Sequence, residues 1–159
     1  TLGAKLITAG GYPTFLPRTL IESSYMITLG YSFPTAMGAK VGNPNKTVLA
    51  ISGDGGFLYA VGDLSTAVQY GINIIILVFN NVMYGNSYYD QKNRFNGRVV
   101  GTELTNPDFM ELAKSFGVKG MRVDNLDDLP SALEKAIVAE QPTLIELSEK
   151  PAHALTRYK

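Results

Sequence analysis

Two short polar motifs contain the residue types of this chain that are best suited to holding a phosphate compound through a metal ion. Gly53-Asp54-Gly55 combines a carboxylate with glycine, and Asn80-Asn81 adds carboxamides further along the chain. Carboxylate and amide oxygens are hard ligands of the kind that Mg²⁺ and Ca²⁺ bind. Glycine lets a bulky phosphate group approach the main chain closely. We therefore interpret the two motifs as a candidate site for a diphosphate held through a divalent cation.

Charge explains why a cation is part of this interpretation. A helix starting after Asp54 would offer free main-chain amides near Gly55 and Gly56, and a helix N-terminus attracts anions. Asp54 is itself an anion, so a diphosphate beside it would be repelled unless a cation lay between them. Asn81 offers a neutral oxygen, and the turn after it can bring the main-chain carbonyl of Met83 to the same point. With phosphate oxygens and water this makes about six hard ligands, which favours Mg²⁺.

Each motif alone has a simpler interpretation. Gly-Asp-Gly is often only a turn after a strand, and Asn-Asn is often a turn or a helix cap. A binding site is favoured because both motifs follow predicted strands, one strand-helix-strand step apart.

The apolar pattern predicts a buried strand directly before each motif. Residues 47–51 and 72–79 are short apolar runs typical of strands that are buried on both faces. Residues 57–70 between them repeat apolar positions every three or four residues and predict a helix, with Gly71 as its C-terminal cap. Because parallel α/β sheets bind ligands beyond the carboxyl ends of their strands, we expect Asp54 and Asn81 to line one crevice.

The rest of the chain continues this alternation. It predicts a helix opening at 34–39, a polar segment at 85–101 that is helical at first, a helix at 107–116 capped by Asn106, a strand at 118–123, a helix at 126–139 and a strand at 143–147. The predicted fold class is α/β, a doubly wound, mostly parallel sheet with helices on both faces. Residues 1–159 are long enough to form a single domain.

Composition excludes several classes of function. Lys plus Arg and Asp plus Glu both number 14, so no basic excess points to nucleic acid. No apolar run approaches the roughly 20 residues of a membrane-spanning helix. The chain has no cysteine and a single histidine, His153, which excludes disulfides, thiol chemistry and sites of several histidines within it. The absence of cysteine fits a reducing compartment, and we expect a cytoplasmic protein.

The two motifs together resemble the signature of thiamine-diphosphate-dependent enzymes, in which Gly-Asp-Gly is followed at about this distance by two asparagines. Residues 28–39, 106–109, 115–117 and 142–146 are similar to segments of acetolactate synthases and benzoylformate decarboxylases. The resemblance covers nearly the whole chain and corresponds to the C-terminal, diphosphate-binding domain of a longer architecture. Because the resemblance is confined to that domain, and because the chain begins at Thr1 rather than at methionine, we expect it to be a fragment or one subunit of a larger enzyme.

The resemblance implies two cofactors, thiamine diphosphate and Mg²⁺. Mg²⁺ would be bound by Asp54, Asn81 and the main-chain carbonyl of Met83. The diphosphate would be lined by Gly55, Gly56, Tyr84 and Gly85.

Two further residues are implied to contact the rings of the cofactor. Leu29 falls where the family places a large apolar residue that bends thiamine diphosphate, although the local sequence fits a core leucine equally well. The main-chain carbonyl of Ile27 would accept a hydrogen bond from the aminopyrimidine.

The resemblance also implies that this chain contains no catalytic residue of its own. In the family, a glutamate from a pyrimidine-binding domain of the same or another chain activates the cofactor, and no glutamate here lies in a segment resembling that domain. We therefore expect half an active site, completed in a homodimer or homotetramer. A stand-alone subunit of a two-chain decarboxylase, as in sulfopyruvate-decarboxylase-like systems, is the alternative.

The expected substrate is a 2-oxo acid, and the expected reaction is decarboxylation or carboligation. The chain has no tryptophan, and Asp90 lies near the position where acetolactate synthases typically carry one. Residues 80–85 look somewhat more like benzoylformate decarboxylases. A set of four side chains could either close over a substrate or be exposed loop residues, namely Tyr88, Tyr89, Arg94 and Arg98. A non-catalytic phosphate- or nucleotide-binding module and a degenerate domain kept for subunit contacts remain rival hypotheses.

Overall fold

A parallel four-stranded sheet forms the centre of the part of the chain that the structure, a computed structural model, describes: residues 13–22, 26 and 28–148. Its strands are β1 (Leu49–Gly53), β2 (Ile75–Asn80), β3 (Lys119–Val123) and β4 (Thr143–Ser148), in the spatial order β1-β2-β4-β3. Gly53 at the end of β1 is in register with Phe79 of β2. The two motifs therefore follow neighbouring strands at the same edge of the sheet. Ile27, whose main-chain carbonyl is predicted to contact the cofactor, and the single histidine His153 lie outside the described residues.

Six α-helices and two short 3₁₀ turns connect the described strands. The α-helices are α1 (Ser32–Gly42), α2 (Asp54–Leu58), α3 (Leu64–Gln69), α4 (Gly85–Arg94), α5 (Phe109–Ser115) and α6 (Leu129–Ile137). The 3₁₀ turns are Val61–Asp63 and Leu126–Asp128. In residues 13–22, 26 and 28–148, no helix combines the length and apolarity needed to cross a membrane.

Successive residues of the central strand β2 face opposite sides of the sheet, and each side has its own apolar core. Ile76 and Val78 belong to a cluster that includes residues of α1, α2, α3 and α5. Ile75 and Leu77 belong to a second cluster that includes residues of α6. Burial on both faces is what a parallel sheet covered by helices on either side requires. The predicted fold class, doubly wound α/β, is confirmed.

The helix predicted at 57–70 is interrupted in the structure. Residues 54–58 and 64–69 are helical, and Ala60 between them leaves the helical conformation with φ −120° and ψ 14°. Phe57 and Leu64 are nevertheless both buried, because the bend keeps the two short helices on the same face of the sheet. Gly71 ends the second helix with φ 58°, as predicted.

Two predictions of burial were wrong. The first strand was expected to be buried on both faces, but β1 is an outer strand of the described sheet and Leu49 is 40% exposed. Large apolar residues at every fourth position of the helix predicted at 126–139 place Ile137 on its apolar face, but Ile137 is 52% exposed, whereas Ala132 and Ala136 are buried. Small side chains let α6 lie close to the sheet, and a pattern search weighted towards large residues does not recognise them.

Candidate functional site

Asp54 is a buried carboxylate to which only neutral groups donate among the described residues. It follows the last residue of β1 and is 2% exposed. Its Oδ1 accepts a hydrogen bond from the main-chain N–H of Gly55 at 2.8 Å, and its Oδ2 accepts one from Asn106 Nδ2 at 2.8 Å. A buried charge is costly unless an opposite charge compensates it. A cation is therefore the ligand that this position favours.

Asn80, the last residue of β2, is hydrogen-bonded on both sides of its carboxamide. Its Oδ1 accepts from Asn106 Nδ2 at 2.9 Å, and its Nδ2 donates to Glu146 Oε1 at 2.6 Å. Glu146 is 3% exposed and its Oε2 accepts from Arg122 Nε at 2.8 Å. We call this connected set, Arg122, Glu146, Asn80, Asn106 and Asp54, the carboxamide network.

Asn81 and Met83 lie in a tight turn directly after β2. Asn81 Oδ1 accepts from the Met83 N–H at 3.3 Å, and Asn81 Nδ2 would lie 3.4 Å from a Cβ added to Gly85. Glycine at 85 therefore lets the Asn81 carboxamide lie against the first turn of α4. No backbone N–H of the described residues donates to the Met83 carbonyl. The carbonyl oxygen is thus available to a ligand.

The turn is held in a strained conformation by pairing with a second segment. Val82 has φ 52°, a left-handed conformation that β-branched residues rarely adopt. The Leu104 N–H donates to the Val82 carbonyl at 2.8 Å, and the Tyr84 N–H donates to the Thr102 carbonyl at 2.7 Å. These two bonds fix residues 82–84 against residues 102–104, although a left-handed valine costs about 1–3 kcal/mol.

Tyr84 lies over Gly55 and connects the two motifs. A Cβ added to Gly55 would lie 2.4 Å from Tyr84 Cε1 and 3.0 Å from Leu104 Cδ1. Any larger residue at 55 would force the Tyr84 ring to move, so this packing favours glycine there in addition to any close approach of a phosphate. Burial raises the pKa of Tyr84, and a hydrogen bond with Tyr59 and the negative charge of Asp54 raise it further.

The segment containing Leu29 is joined to the same group of aromatic residues. Leu29 is half-buried in the turn before α1. A Cβ added to the neighbouring Gly30 would lie 3.0 Å from Tyr59 Cβ, and Gly30 has φ 81°. Because Tyr59 also contributes to the raised pKa of Tyr84, the turn and the site are linked through these side chains. The role assigned to Leu29 under a cofactor stays a prediction.

Asp108, not Asn106, caps helix α5. The Asp108 carboxylate accepts from the N–H groups of Met110 at 2.8 Å and Glu111 at 3.2 Å, and the helix begins at Phe109. The predicted cap at Asn106 was therefore wrong, because Pro107 and Asp108 extend the chain and carry the Asn106 side chain towards Asp54 and Asn80. Hydrogen bonds from Arg122 and then from the two main-chain amides lower the pKa of Asp108.

Two unpartnered polar atoms lie in the segment between α4 and α5. Among the described residues, Thr102 Oγ1 and Asn106 Oδ1 are buried side-chain atoms with no hydrogen-bond partner. Buried polar atoms of this kind are commonly satisfied by water or by a ligand. No group of three or more His, Cys, Asp or Glu residues that could hold a metal occurs in the described ranges. An ion here would thus depend on one carboxylate with amide and carbonyl oxygens, and the residues present fit Mg²⁺ on that basis.

The four side chains of the possible closing segment lie in helix α4 and in the turn after it. Its tyrosines, Tyr88 and Tyr89, meet edge to face with ring centroids 5.3 Å apart, and Lys92 Nζ lies 5.7 Å from the Tyr88 ring centroid. Arg94 pairs with Asp90 on the exposed surface at 3.1 Å. Arg98 donates to the main-chain carbonyl of Phe95 at 3.3 Å. These local contacts describe a surface helix, and its closure over a substrate stays a prediction.

A cavity of about 860 Å³ lies elsewhere, between residues 16–22, the start of α1 and β1. It is lined by Gly30 and Ser52 among others, and Asp54 is not part of its lining. The cavity therefore borders the site without containing the predicted metal ligands.

Sequence comparisons identify the family. A family model described as thiamine pyrophosphate enzyme, C-terminal TPP binding domain, matches residues 4–147. The chain belongs to this family of thiamine pyrophosphate (thiamine diphosphate) enzymes. It is 37% identical to a probable acetolactate synthase large subunit of Methanocaldococcus jannaschii, over 91% of this chain and 24% of that protein. An acetolactate synthase of Bacillus subtilis is 35% identical over 86% of this chain and 24% of its own length.

A solved structure is also similar to this thiamine diphosphate-binding domain. It is the thiamine diphosphate-dependent 4-hydroxybenzoylformate decarboxylase of Rhodococcus jostii, with a TM-score of 0.72 and 34% identity. The match covers 77% of this chain and 23% of that protein. The chain thus spans about a quarter of the length of the relatives it matches. The expected resemblance to acetolactate synthases and benzoylformate decarboxylase-type enzymes is confirmed.

The carboxamide network is the part of this thiamine diphosphate-enzyme domain that sequence reasoning missed. The sequence indicates Glu146 only as part of a family-like segment, and Asn106 only as part of another such segment and as a helix cap. One signal was present, because Glu146 is a charged residue inside the apolar strand β4. A carboxylate in a strand buried on both faces requires a partner, which the structure shows to be Arg122 and Asn80.

Proposed function

We propose that this chain is the Mg²⁺- and thiamine diphosphate-binding domain of a 2-oxo acid decarboxylase or carboligase. The observation that carries the proposal is the pairing of a buried, uncompensated Asp54 carboxylate with the carboxamide of Asn81 and the free carbonyl of Met83 at the ends of neighbouring strands. These three oxygen ligands are a carboxylate, a carboxamide and a main-chain carbonyl, and together they suit one hard cation.

Within this proposal the residues of the chain divide the work of binding. Asp54 supplies the negative charge that a divalent cation needs, and Asn81 and Met83 supply neutral oxygens. Gly55, Gly56, Tyr84 and Gly85 would line the diphosphate. Thiamine diphosphate, when bound, supplies the electron sink that lets a 2-oxo acid lose carbon dioxide. Leu29 and the main-chain carbonyl of Ile27 would hold its rings in the bent form.

The substrate class is supported by the relatives. The structural relative from Rhodococcus jostii is named for a decarboxylation of 4-hydroxybenzoylformate, which is a 2-oxo acid. The two sequence relatives, from Methanocaldococcus jannaschii and Bacillus subtilis, are named as a probable acetolactate synthase large subunit and an acetolactate synthase. This chain has no tryptophan and has Asp90 near the position where acetolactate synthases typically carry one. We therefore favour a decarboxylase over an acetolactate synthase.

The active site is proposed to be completed by other residues. The activating glutamate would come from a pyrimidine-binding domain of the same protein or of a partner, in a homodimer, a homotetramer or a two-chain enzyme. The chain matches only about a quarter of its relatives, which supports an arrangement in which it forms one domain or one subunit.

Calorimetry with thiamine diphosphate tests the proposal on the protein as its gene encodes it. We expect binding that depends on Mg²⁺ and is abolished in Asp54→Ala, with an unfolding transition that remains cooperative. An exposed aspartate offers the matched control, Asp124→Ala, which should bind as before. Preference for ATP would favour the nucleotide-binding alternative, and absence of any ligand would favour a degenerate domain. Retained metal-dependent binding in Asp54→Ala would reject the ligand assignment.

A further inference from the structure

Asn106 is the residue that joins the proposed metal ligand Asp54 to the end of β2. Its Nδ2 lies 2.8 Å from Asp54 Oδ2 and 2.9 Å from Asn80 Oδ1. A carboxamide nitrogen carries two hydrogens, so both are used in these bonds. Asn106 is not needed as a helix cap, since Asp108 has that role.

The carboxylates at the two ends of this set determine which way each carboxamide faces. Glu146 accepts from Asn80 Nδ2 at 2.6 Å, which leaves Asn80 Oδ1 to face Asn106. Asp54 accepts from Asn106 Nδ2. Reversing either carboxamide would put oxygen against oxygen, so the assigned orientation is the one that satisfies the contacts with Asp54, Asn80 and Glu146. It leaves only Asn106 Oδ1 without a partner among the atoms of these carboxamides.

This orientation separates the roles of the two neighbouring asparagines. Both ends of the Asn80 carboxamide are bound within the protein. Asn81 Oδ1, by contrast, makes one long contact of 3.3 Å with the Met83 N–H. Asn81 is therefore the carboxamide with a readily available oxygen.

Charge distinguishes Asn106 from other possible donors to Asp54. A lysine or arginine at this place would form an ion pair with Asp54 and compete with a cation. The Asn106 amide and the Gly55 N–H are neutral, so they orient the carboxylate while its negative charge stays available.

We propose that Asn106 is a positioning residue of the metal site. Its bond to Asp54 orients the carboxylate towards the cation, and its bond to Asn80 occupies the Asn80 oxygen, so that Asn81 serves as the ligand. The inference rests on the proposed function, because it presupposes a divalent cation at Asp54. Mg²⁺ demands near-octahedral geometry, whereas Ca²⁺ accepts irregular and more numerous ligands. Loss of a positioning residue should therefore weaken Mg²⁺ binding more than Ca²⁺ binding.

The test is a calorimetric titration of each cation into the whole protein in the presence of excess thiamine diphosphate. For Asn106→Ala we expect Mg²⁺ affinity to fall by about 10- to 100-fold, the usual effect of removing a group that orients a metal ligand. The loss of Ca²⁺ affinity should be clearly smaller. Asn45→Ala removes an exposed asparagine and should leave both affinities unchanged.

A second variant keeps the proposal testable if Asn106→Ala does not fold. Asn106→Leu keeps the branched shape and removes only the polar groups, and it should change the ratio of Mg²⁺ to Ca²⁺ affinity in the same direction. Unchanged Mg²⁺ affinity, or equal losses for both cations, would overturn the positioning role, because a general loosening of the fold has no preference between them. If the unaltered protein binds neither cation with thiamine diphosphate, the proposed function itself fails, and that result is visible without any variant.

Discussion

The close contact between Gly55 and the Tyr84 ring can be tested by adding one methyl group at position 55. For Gly55→Ala, the new Cβ would lie 2.4 Å from Tyr84 Cε1, so the ring must move. We expect the free energy of unfolding to fall by about 1–3 kcal/mol, as for other overpacked sites. Cofactor affinity should fall as well, since Tyr84 is a proposed diphosphate contact. Urea unfolding and calorimetry measure the two effects.

Gly38→Ala is the matched control for this substitution. Gly38 is exposed within α1, and an added Cβ would meet no atom within 4 Å. Alanine there should raise the free energy of unfolding by up to about 1 kcal/mol, because glycine is a poor helix former. Equal effects of the two substitutions would contradict the tight packing described at Gly55.

At the scale of elements, helix α5 is connected to the sheet through Asp108, and this connection is sensitive to acid. The pKa of Asp108 is lowered, first by the hydrogen bond from Arg122 and then by the main-chain amides at the helix start. A carboxyl group with a lowered pKa in the folded state contributes stability above its unfolded pKa of about 4, and this contribution disappears as pH falls through the folded-state value.

We therefore expect Asp108→Asn to flatten the acid part of the stability profile. Asparagine is also a good helix cap, so the main change is the loss of charge. Melting temperatures measured from about pH 6 down to about pH 2.5 should decline less steeply below about pH 4 in this variant. Glu111→Gln on the same helix, whose ion pair with Lys114 is exposed, should retain the original slope. An unchanged slope in Asp108→Asn would show that the Asp108 carboxylate does not govern acid stability.

The helices and strands themselves were largely predictable because apolar periodicity records which positions are buried. The predicted strand at 143–147 and the observed β4, Thr143–Ser148, differ by one residue. The break at Ala60 was not predictable, since the apolar repeat from Phe57 to Leu64 fits a continuous helix equally well. Both short helices contribute to one apolar cluster on the same face of the sheet, and the local sequence pattern does not distinguish a bent arrangement of this kind from a straight helix.

The site was predictable in part for a similar reason. Asp54 and Asn81 follow strand ends, and strand ends can be located from the sequence. The carboxamide network could not be predicted, because Asn106 meets Asp54 and Asn80 across long separations in the chain. A pattern along one segment contains no information about such pairings, although the buried charge of Glu146 indicates that some pairing must exist.

For the whole molecule, the order of the strands predicts where the fold opens first. β2 and β4 are each paired on both sides, whereas β1 and β3 are outer strands within the described sheet. Amide hydrogen exchange should therefore be slowest in β2 and β4 and faster in β1. Mass spectrometry of peptides covering each strand measures this order. Protection of β1 equal to that of β2 would show that another strand pairs with its outer side.

The left-handed Val82 has a practical consequence for anyone engineering heat resistance into this domain. Glycine at this position would relieve the backbone and should raise the melting temperature, because glycine adopts positive φ without penalty. The same freedom would loosen the directions in which Asn81 and Met83 face. A Val82→Gly protein that melts higher but binds Mg²⁺ more weakly is the expected compromise between durability and activity. Unchanged metal affinity in that variant would show that the turn can be relaxed at no cost to the ligands.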